Sequence, residues 1–258
     1  MTRHCPLLLL LLTLTSGLAQ EPAADKPKPT TRSLRLLPLG EPPPFLQEVR
    51  DGVRYELEPE AGSIPPREVL LGDGENAAKI RLNLGRATGA EKLPLGTAPA
   101  MLRIPAATTE APPTPWLTIR PPETGDVLAL IWRDPGKLWA APRTLVLPDS
   151  AAAFPAGNIR IVNLLPVETA LVFGADEVRV APGKTLMRAV KPLVDVAIQI
   201  AYKAPTGQFQ AFYSGSLLLA PNERAQVFLH RADGEKPRRP AKVVIFNEAT
   251  PMAPIPNP

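Results

Sequence analysis

Prolines recur through this chain every few residues, 34 of them among 258. A proline inside a helix removes a backbone hydrogen bond and pushes its ring into the preceding turn, at a cost of about 3 kcal/mol or more. Few windows long enough for a helix escape one, so long helices are almost excluded. Short strands joined by Pro/Gly turns fit the same spacing, because proline is tolerated at strand ends, edges and turns. The chain is therefore expected to be all-β.

The most legible stretch is 158–190, NIRIVNLLPVETALVFGADEVRVAPGKTLMRAV, which reads as four short strands separated by turns at Gly174 and Pro182-Gly183. Further strands are expected over 69–71, 80–84, 101–104, 116–119, 127–132 and 143–147, then over 194–202, 209–219, 225–230 and 242–246. Arg50-Asp51-Gly52 between two apolar runs predicts a hairpin, since Asp-Gly suits the tight turns that match strand twist. Val53, Tyr55 and Leu57 alternate with Arg54 and Glu56, the pattern of a strand with one covered face.

The N-terminus predicts export. Arg3 and His4 precede a leucine-rich run over 6–14, and Gly17 and Ala19 supply the small residues of a cleavage site, so residues 1–19 read as a signal peptide. The run is about half the roughly 20 residues a spanning helix needs, and no later segment is long enough, so no transmembrane segment is expected in the mature chain. Cys5 is the only cysteine. The mature chain from Gln20 must then hold together by burial without disulfides. Residues 20–33 read as a Pro-rich linker, 34–150 and 157–248 as two tandem β-sandwich-like (Ig-like) domains, and 249–258 as a Pro-rich tail.

The two sandwiches are expected to be related. Sliding residues 132–149 onto 230–247 without a gap superimposes Arg133, Gly136, Pro142 and Val146 on Arg231, Gly234, Pro240 and Val244. Upstream, Leu82-Asn83-Leu84-Gly85 resembles Leu171-Val172-Phe173-Gly174. Each copy reads as strand, hairpin loop, strand.

Little points to catalysis. After the leader the only histidine is His230, so no His/Cys set of metal-ligand spacing exists and no metal or other cofactor is expected. A Ser-His-acid triad would have to pass through His230, and no G-x-S-x-G elbow accompanies it; Tyr213-Ser214-Gly215-Ser216 reads as a turn or bulge. Glu56, Glu58 and Glu60 leave a carboxylate pair open, and with it the alternative of a carbohydrate-active enzyme or carbohydrate-binding protein. Gly72-Asp73-Gly74-Glu75-Asn76 lacks calcium-loop spacing and reads as a polar turn. The formal charge of +4 is too small for nucleic-acid binding.

Two loops carry the binding candidates. Arg231, Lys236, Arg238, Arg239 and Lys242 crowd one loop stiffened by Pro237 and Pro240, suited to an envelope protein or an anionic polysaccharide. The same charges would also keep a sheet edge from pairing. Its counterpart in the first copy carries Trp132 and Trp139, which are expected to form an exposed recognition platform or to pack.

IRIVNLLPVETALVFGADEVRVAPGKTL resembles the strand-turn segment of an uncharacterised family of secreted bacterial β-sandwich proteins, as do PLGEPPPF, AGSIPPR and RADGEKPRRP. Around Asn163 and Pro182-Gly183 it is also locally similar to periplasmic alginate-acetylation accessory proteins. The resemblance implies a signal peptide, a β-sandwich and an envelope location, with no assigned activity. The expected function is that of an exported, non-enzymatic structural or interaction protein, periplasmic or at the cell surface.

Overall fold

The computed structural model describes residues 31–43, 46–106, 111–135, 138–233, 237 and 239–250. The expected leader, most of the expected linker and tail, and Lys236 and Arg238 lie outside them. The fold is all-β and sandwich-like. Its strands are β1 (Thr31–Leu39), β2 (Gln47–Arg50), β3 (Val53–Glu56), β4 (Glu68–Leu71), β5 (Ala78–Arg81), β6 (Glu91–Pro94), β7 (Ala100–Ile104), β8 (Thr114–Ile119), β9 (Val127–Asp134) and β10 (Leu138–Pro148). They continue with β11 (Asn158–Asn163), β12 (Thr169–Phe173), β13 (Asp176–Val180), β14 (Thr185–Ala189), β15 (Val196–Lys203), β16 (Phe209–Leu217), β17 (Glu223–Arg231) and β18 (Ala241–Ala249).

The repeat is visible in the topology. Sheets ordered β10-β9-β1-β6 and β5-β4-β7-β8 face each other in the first half, and sheets ordered β18-β17-β11-β14 and β16-β15-β12-β13 do so in the second. Strands β11 to β18 thus repeat β1 and β4 to β10 in order. In both halves the first strand lies parallel to the seventh of its unit: Leu34 opposite Val127, and Ile159 opposite Ala225. A matching bond fixes the alignment, since Gly85 N–H donates to Pro38 O and Gly183 N–H to Asn163 O, both at 2.8 Å. Gly85 therefore corresponds to Gly183, and the expected match of Leu82–Gly85 to Leu171–Gly174 is out of register. The true partner of Gly174 is Gly72, which likewise ends a strand with positive φ.

Hairpin β2-β3 has no counterpart in the second half. Its turn is as expected, with Asp51 and Gly52 both at positive φ. Its covered face is not: every residue of β3 is exposed, and Val53 keeps 53% of its surface. The strands run beyond the expected linker and tail boundaries, toward both termini. Thr31–Ser33 already pair with Pro94–Lys92, and Ala249 pairs with Glu223.

The parallel strands explain why the sequence shows continuous apolar runs there. Strands of that kind are buried on both faces, and Val127 to Ile131 all have zero exposure. Val127, Ala129 and Ile131 face the core of their own half together with Leu34 and Leu36, whereas Leu128 and Leu130 face outward with Leu37 and Leu39. In the second half Ile159, Ile161, Ala225, Val227 and Leu229 face inward, whereas Val162 and Phe228 face outward. The outward sets meet. Leu37, Leu39, Leu128, Leu130 and Leu147 pack against Val162 and Phe228, with Trp132, Leu164 and Phe246 at the margin. Because Leu37 is equivalent to Val162 and Leu130 to Phe228, the halves join through the same patch, as subunits do in an isologous dimer. The result is four stacked sheets.

Candidate functional site

The joining face changes character along its length. At one end it is ionic. Arg35 occupies the same repeat position as Arg160, and both interrupt an apolar run on the joining face. Arg35 Nη1 donates to Glu248 at 2.6 Å and its Nε to Asp149 at 2.8 Å. Arg224 reaches the same two carboxylates at 3.2 and 3.0 Å, and Arg160 Nη2 lies 3.4 Å from Asp149. Gln226 bridges the set, donating to Glu248 and accepting from Arg160 Nε. The guanidinium groups of Arg160 and Arg224 lie over the Phe154 ring, 4.3 and 4.7 Å from its centre.

Burial dominates the ionisation of Arg160, lowering its pKa to about 10. Burial also opposes the charge on Arg35, but its bonds to Glu248 and the field of Asp149 more than compensate, and its pKa is raised. Desolvation would raise the Glu248 carboxyl, yet Arg35, Gln226 and Arg224 outweigh it and hold it below its ordinary 4.5. Arg160, Arg224 and Asp149 are buried between the sheets and each carboxylate is held by cations, so the cluster fastens the halves together.

At the other end the joining face opens into a cleft of about 440 Å³. Its walls are equivalent pieces of each half: Leu39 and Leu164, Trp132 and His230, Arg133 and Arg231, with Pro135, Arg143, Leu165, Pro166, Ala232 and Asp233 completing it. Gly40 permits the close approach of the halves beside it. A Cβ there would stand 3.0 Å from Asp233 Oδ2 and 3.4 Å from both Leu84 and Trp139. Asp233 accepts from Glu41 N–H at 2.8 Å and stands 3.6 Å from Arg133 Nε, tying the second half to the first. Arg143 is held by Asp134 at 2.7 Å. Arg231 is exposed, and among the described residues it has no ion pair. His230 is 4% exposed, with Nδ1 3.0 Å from Arg231 O. Burial lowers its pKa below the ordinary 6.5, more than the Arg231 carbonyl, Asp233 and Glu41 raise it. It is thus neutral near pH 7, and guanidinium groups supply the positive charge of the cleft.

The binding residues expected from sequence are dispersed. Trp132 and Arg231 line the cleft. Lys242 is paired with Glu41 at 2.8 Å, and Arg239 borders a separate shallow depression with Tyr202, Gln210, Phe212, Tyr213 and Ser214. Of the two alternatives expected for Trp139, platform or packing, the packing one is found: it is 2% exposed in the first core, and its carbonyl accepts from Trp116 Nε1 at 2.7 Å. The cause is local. Leu138 at positive φ and a register shift before Arg143 interrupt the pairing of β10 with β9 beside it. Tyr213 to Ser216 lie within β16, where a bulge at Phe212 breaks the register. Arg143 and Asp233 line the cleft without a signal of their own in the sequence, and Arg133 is marked there only by its superposition on Arg231.

Among the described residues no group of three or more His, Cys, Asp or Glu side chains could hold a metal ion, and no helix is long and apolar enough to cross a membrane. No protein-family model and no curated protein matches the chain.

The titration of the joining face has a measurable consequence. A histidine whose pKa is depressed by folding stabilises the folded state fully above about 6.5, and this stabilisation declines as pH falls below that value. Glu248, also depressed, adds a second loss as pH falls below about 4.5 and through its folded-state value. Thermal unfolding is expected to show a flat melting temperature from pH 7 to 8 and a decline below 6.5 that steepens in acid. His230→Gln should remove the upper decline; a melting temperature independent of pH between 5 and 7 in the parent protein would contradict the assignment.

Proposed function

We propose that this protein is a non-catalytic interaction protein of the bacterial cell envelope, exported by its leader and binding through the cleft between its two halves. The observation that carries this is the composition of the cleft. Three guanidinium groups and an indole ring line it, with one lining carboxylate, Asp233. Hydrolysis of a glycoside requires two carboxyl groups facing each other across about 5–10 Å; this cleft instead resembles a concave site with a few convergent polar groups set among apolar ones. Trp132 and Arg133 stand on β9, and His230 and Arg231 on β17, both interior strands of their sheets and the rigid support that a preformed site needs.

The test is capture from the native envelope. The tagged mature protein should retain a protein or glycan under mild salt, and Arg231→Ala should lose it. Recovery of nothing by the parent protein, or equal recovery by the variant, would defeat the proposal. The competing reading, a carboxylate-based carbohydrate enzyme, predicts turnover of envelope glycan that Asp233→Asn abolishes.

A further inference from the structure

We propose that the cleft takes an acidic sugar residue, its oxyanion held between Arg133 and Arg231 and its ring laid against Trp132. The inference rests on the reading of the protein as a binding protein and names the ligand class.

Three observations select it. First, the charge. Asp233 only partly neutralises Arg133, because their closest approach is 3.6 Å and its other oxygen is engaged by the Glu41 amide. Arg231 adds a second guanidinium from the equivalent position of the other half. Planar guanidinium forks bind carboxylate and phosphate oxygens in bidentate fashion. Second, the backbone. Four of the strands that line the cleft, β1, β9, β11 and β17, are interior to their sheets, and β10, which carries Arg143, is the one edge strand among them. An acidic peptide added as a strand would have only β10 to pair with. Third, the size. About 440 Å³ with one indole in its wall suits one or two rings, whereas nucleic-acid strands are held by successive aromatic platforms along a basic groove. The C–H face of a pyranose is flat and apolar, a match for the indole of Trp132.

Isothermal titration calorimetry of the mature protein at low ionic strength tests this with five probes: tetragalacturonate, free galacturonate, glucose 6-phosphate, neutral maltotetraose and tetraglutamate. An acidic sugar probe is expected to bind at least tenfold more tightly than maltotetraose and tetraglutamate. Arg231→Ala, at an exposed position, and Trp132→Ala should each weaken it tenfold or more, with Trp132→Phe retaining most of the affinity. Tighter binding of the tetramer than of the free acid assigns a polymer as the source; equal affinity per residue assigns a free sugar acid or phosphate. Equal binding of maltotetraose or tetraglutamate, or an Arg231→Ala variant that binds as the parent does, would overturn the inference. If no sugar probe binds but envelope capture remains dependent on Arg231, the sugar assignment falls and the binding-protein reading stands.

Discussion

Replacing Asp149 with alanine is expected to destabilise the protein by about 3–5 kcal/mol, the range seen when one partner of a buried ion pair is removed. Asp149 is shared by Arg35, Arg160 and Arg224, two of which have side chains only 2% exposed. Its loss would leave three guanidinium groups facing Glu248 alone, with the hydrogen-bonding capacity of Arg160 and Arg224 partly unmet. Denaturant unfolding provides the measurement. Removing Arg224 from the same background should cost less than removing it from the parent, because much of its partner set is already gone; coupling of about 0.5–3 kcal/mol is usual for residues in one network. A loss below about 1 kcal/mol for Asp149→Ala, or simple additivity with Arg224→Ala, would show that the cluster does not fasten the halves.

Phe228→Ala should cost a comparable amount, about 3–5 kcal/mol, through a different mechanism. Phe228 has no solvent exposure, lies against Phe246 with ring centres 5.8 Å apart, and belongs to the apolar contact between halves and not to either inner core. Truncation opens a cavity between two sheets whose opposite faces are pinned by their own cores, so collapse is restricted. If the joining face couples the halves, unfolding followed by the tryptophans, all in the first half, and by far-UV circular dichroism should coincide in the parent and separate in the variant. Coincident transitions in both, with a cost under about 1 kcal/mol, would mean that the contact contributes little.

The parts of this architecture legible in the sequence are those fixed by local chemistry. Proline spacing excluded helices, Asp51-Gly52 fixed a hairpin, and Gly174 and Gly183 marked turns that require positive φ. The ungapped match of 132–149 to 230–247 located the closing strands of each half because their hairpins begin and end alike. Upstream the match failed although the true pair, Gly85 and Gly183, stands at the same spacing of 98 residues as 132 and 230. An apolar residue followed by a glycine at positive φ recurs as Leu71-Gly72, Leu84-Gly85 and Phe173-Gly174, so that local pattern does not single out one partner.

The joining face was illegible because period-two alternation vanishes when both faces of a strand are buried. In β1 and β11 the inward and outward residues are equally apolar, and Arg35 and Arg160 resemble solvated charges until a second sheet covers them. The cleft was half visible. Trp132 aligns with His230 in the sequence, and Arg231 stands out there, but as a member of a loop. Only the packing of one repeat against the other places Arg133 beside Asp233 and turns two hairpin bases into opposite walls. Platform and packing stay undecided for Trp139 in the sequence, because spacing carries no record of the interruption at the start of β10.

The most direct test of the central claim uses the three tryptophans. Trp132 lines the cleft, whereas Trp116 and Trp139 are buried in the first core at 8% and 2% exposure. Titration of the mature protein with tetragalacturonate should produce a saturable change in tryptophan fluorescence. Trp132→Phe should lose that change while still binding by calorimetry, and a variant lacking both Arg133 and Arg231 side chains should show neither signal nor binding. A saturable change of full size in Trp132→Phe, or undiminished affinity without the two arginines, would place the ligand elsewhere and contradict the account.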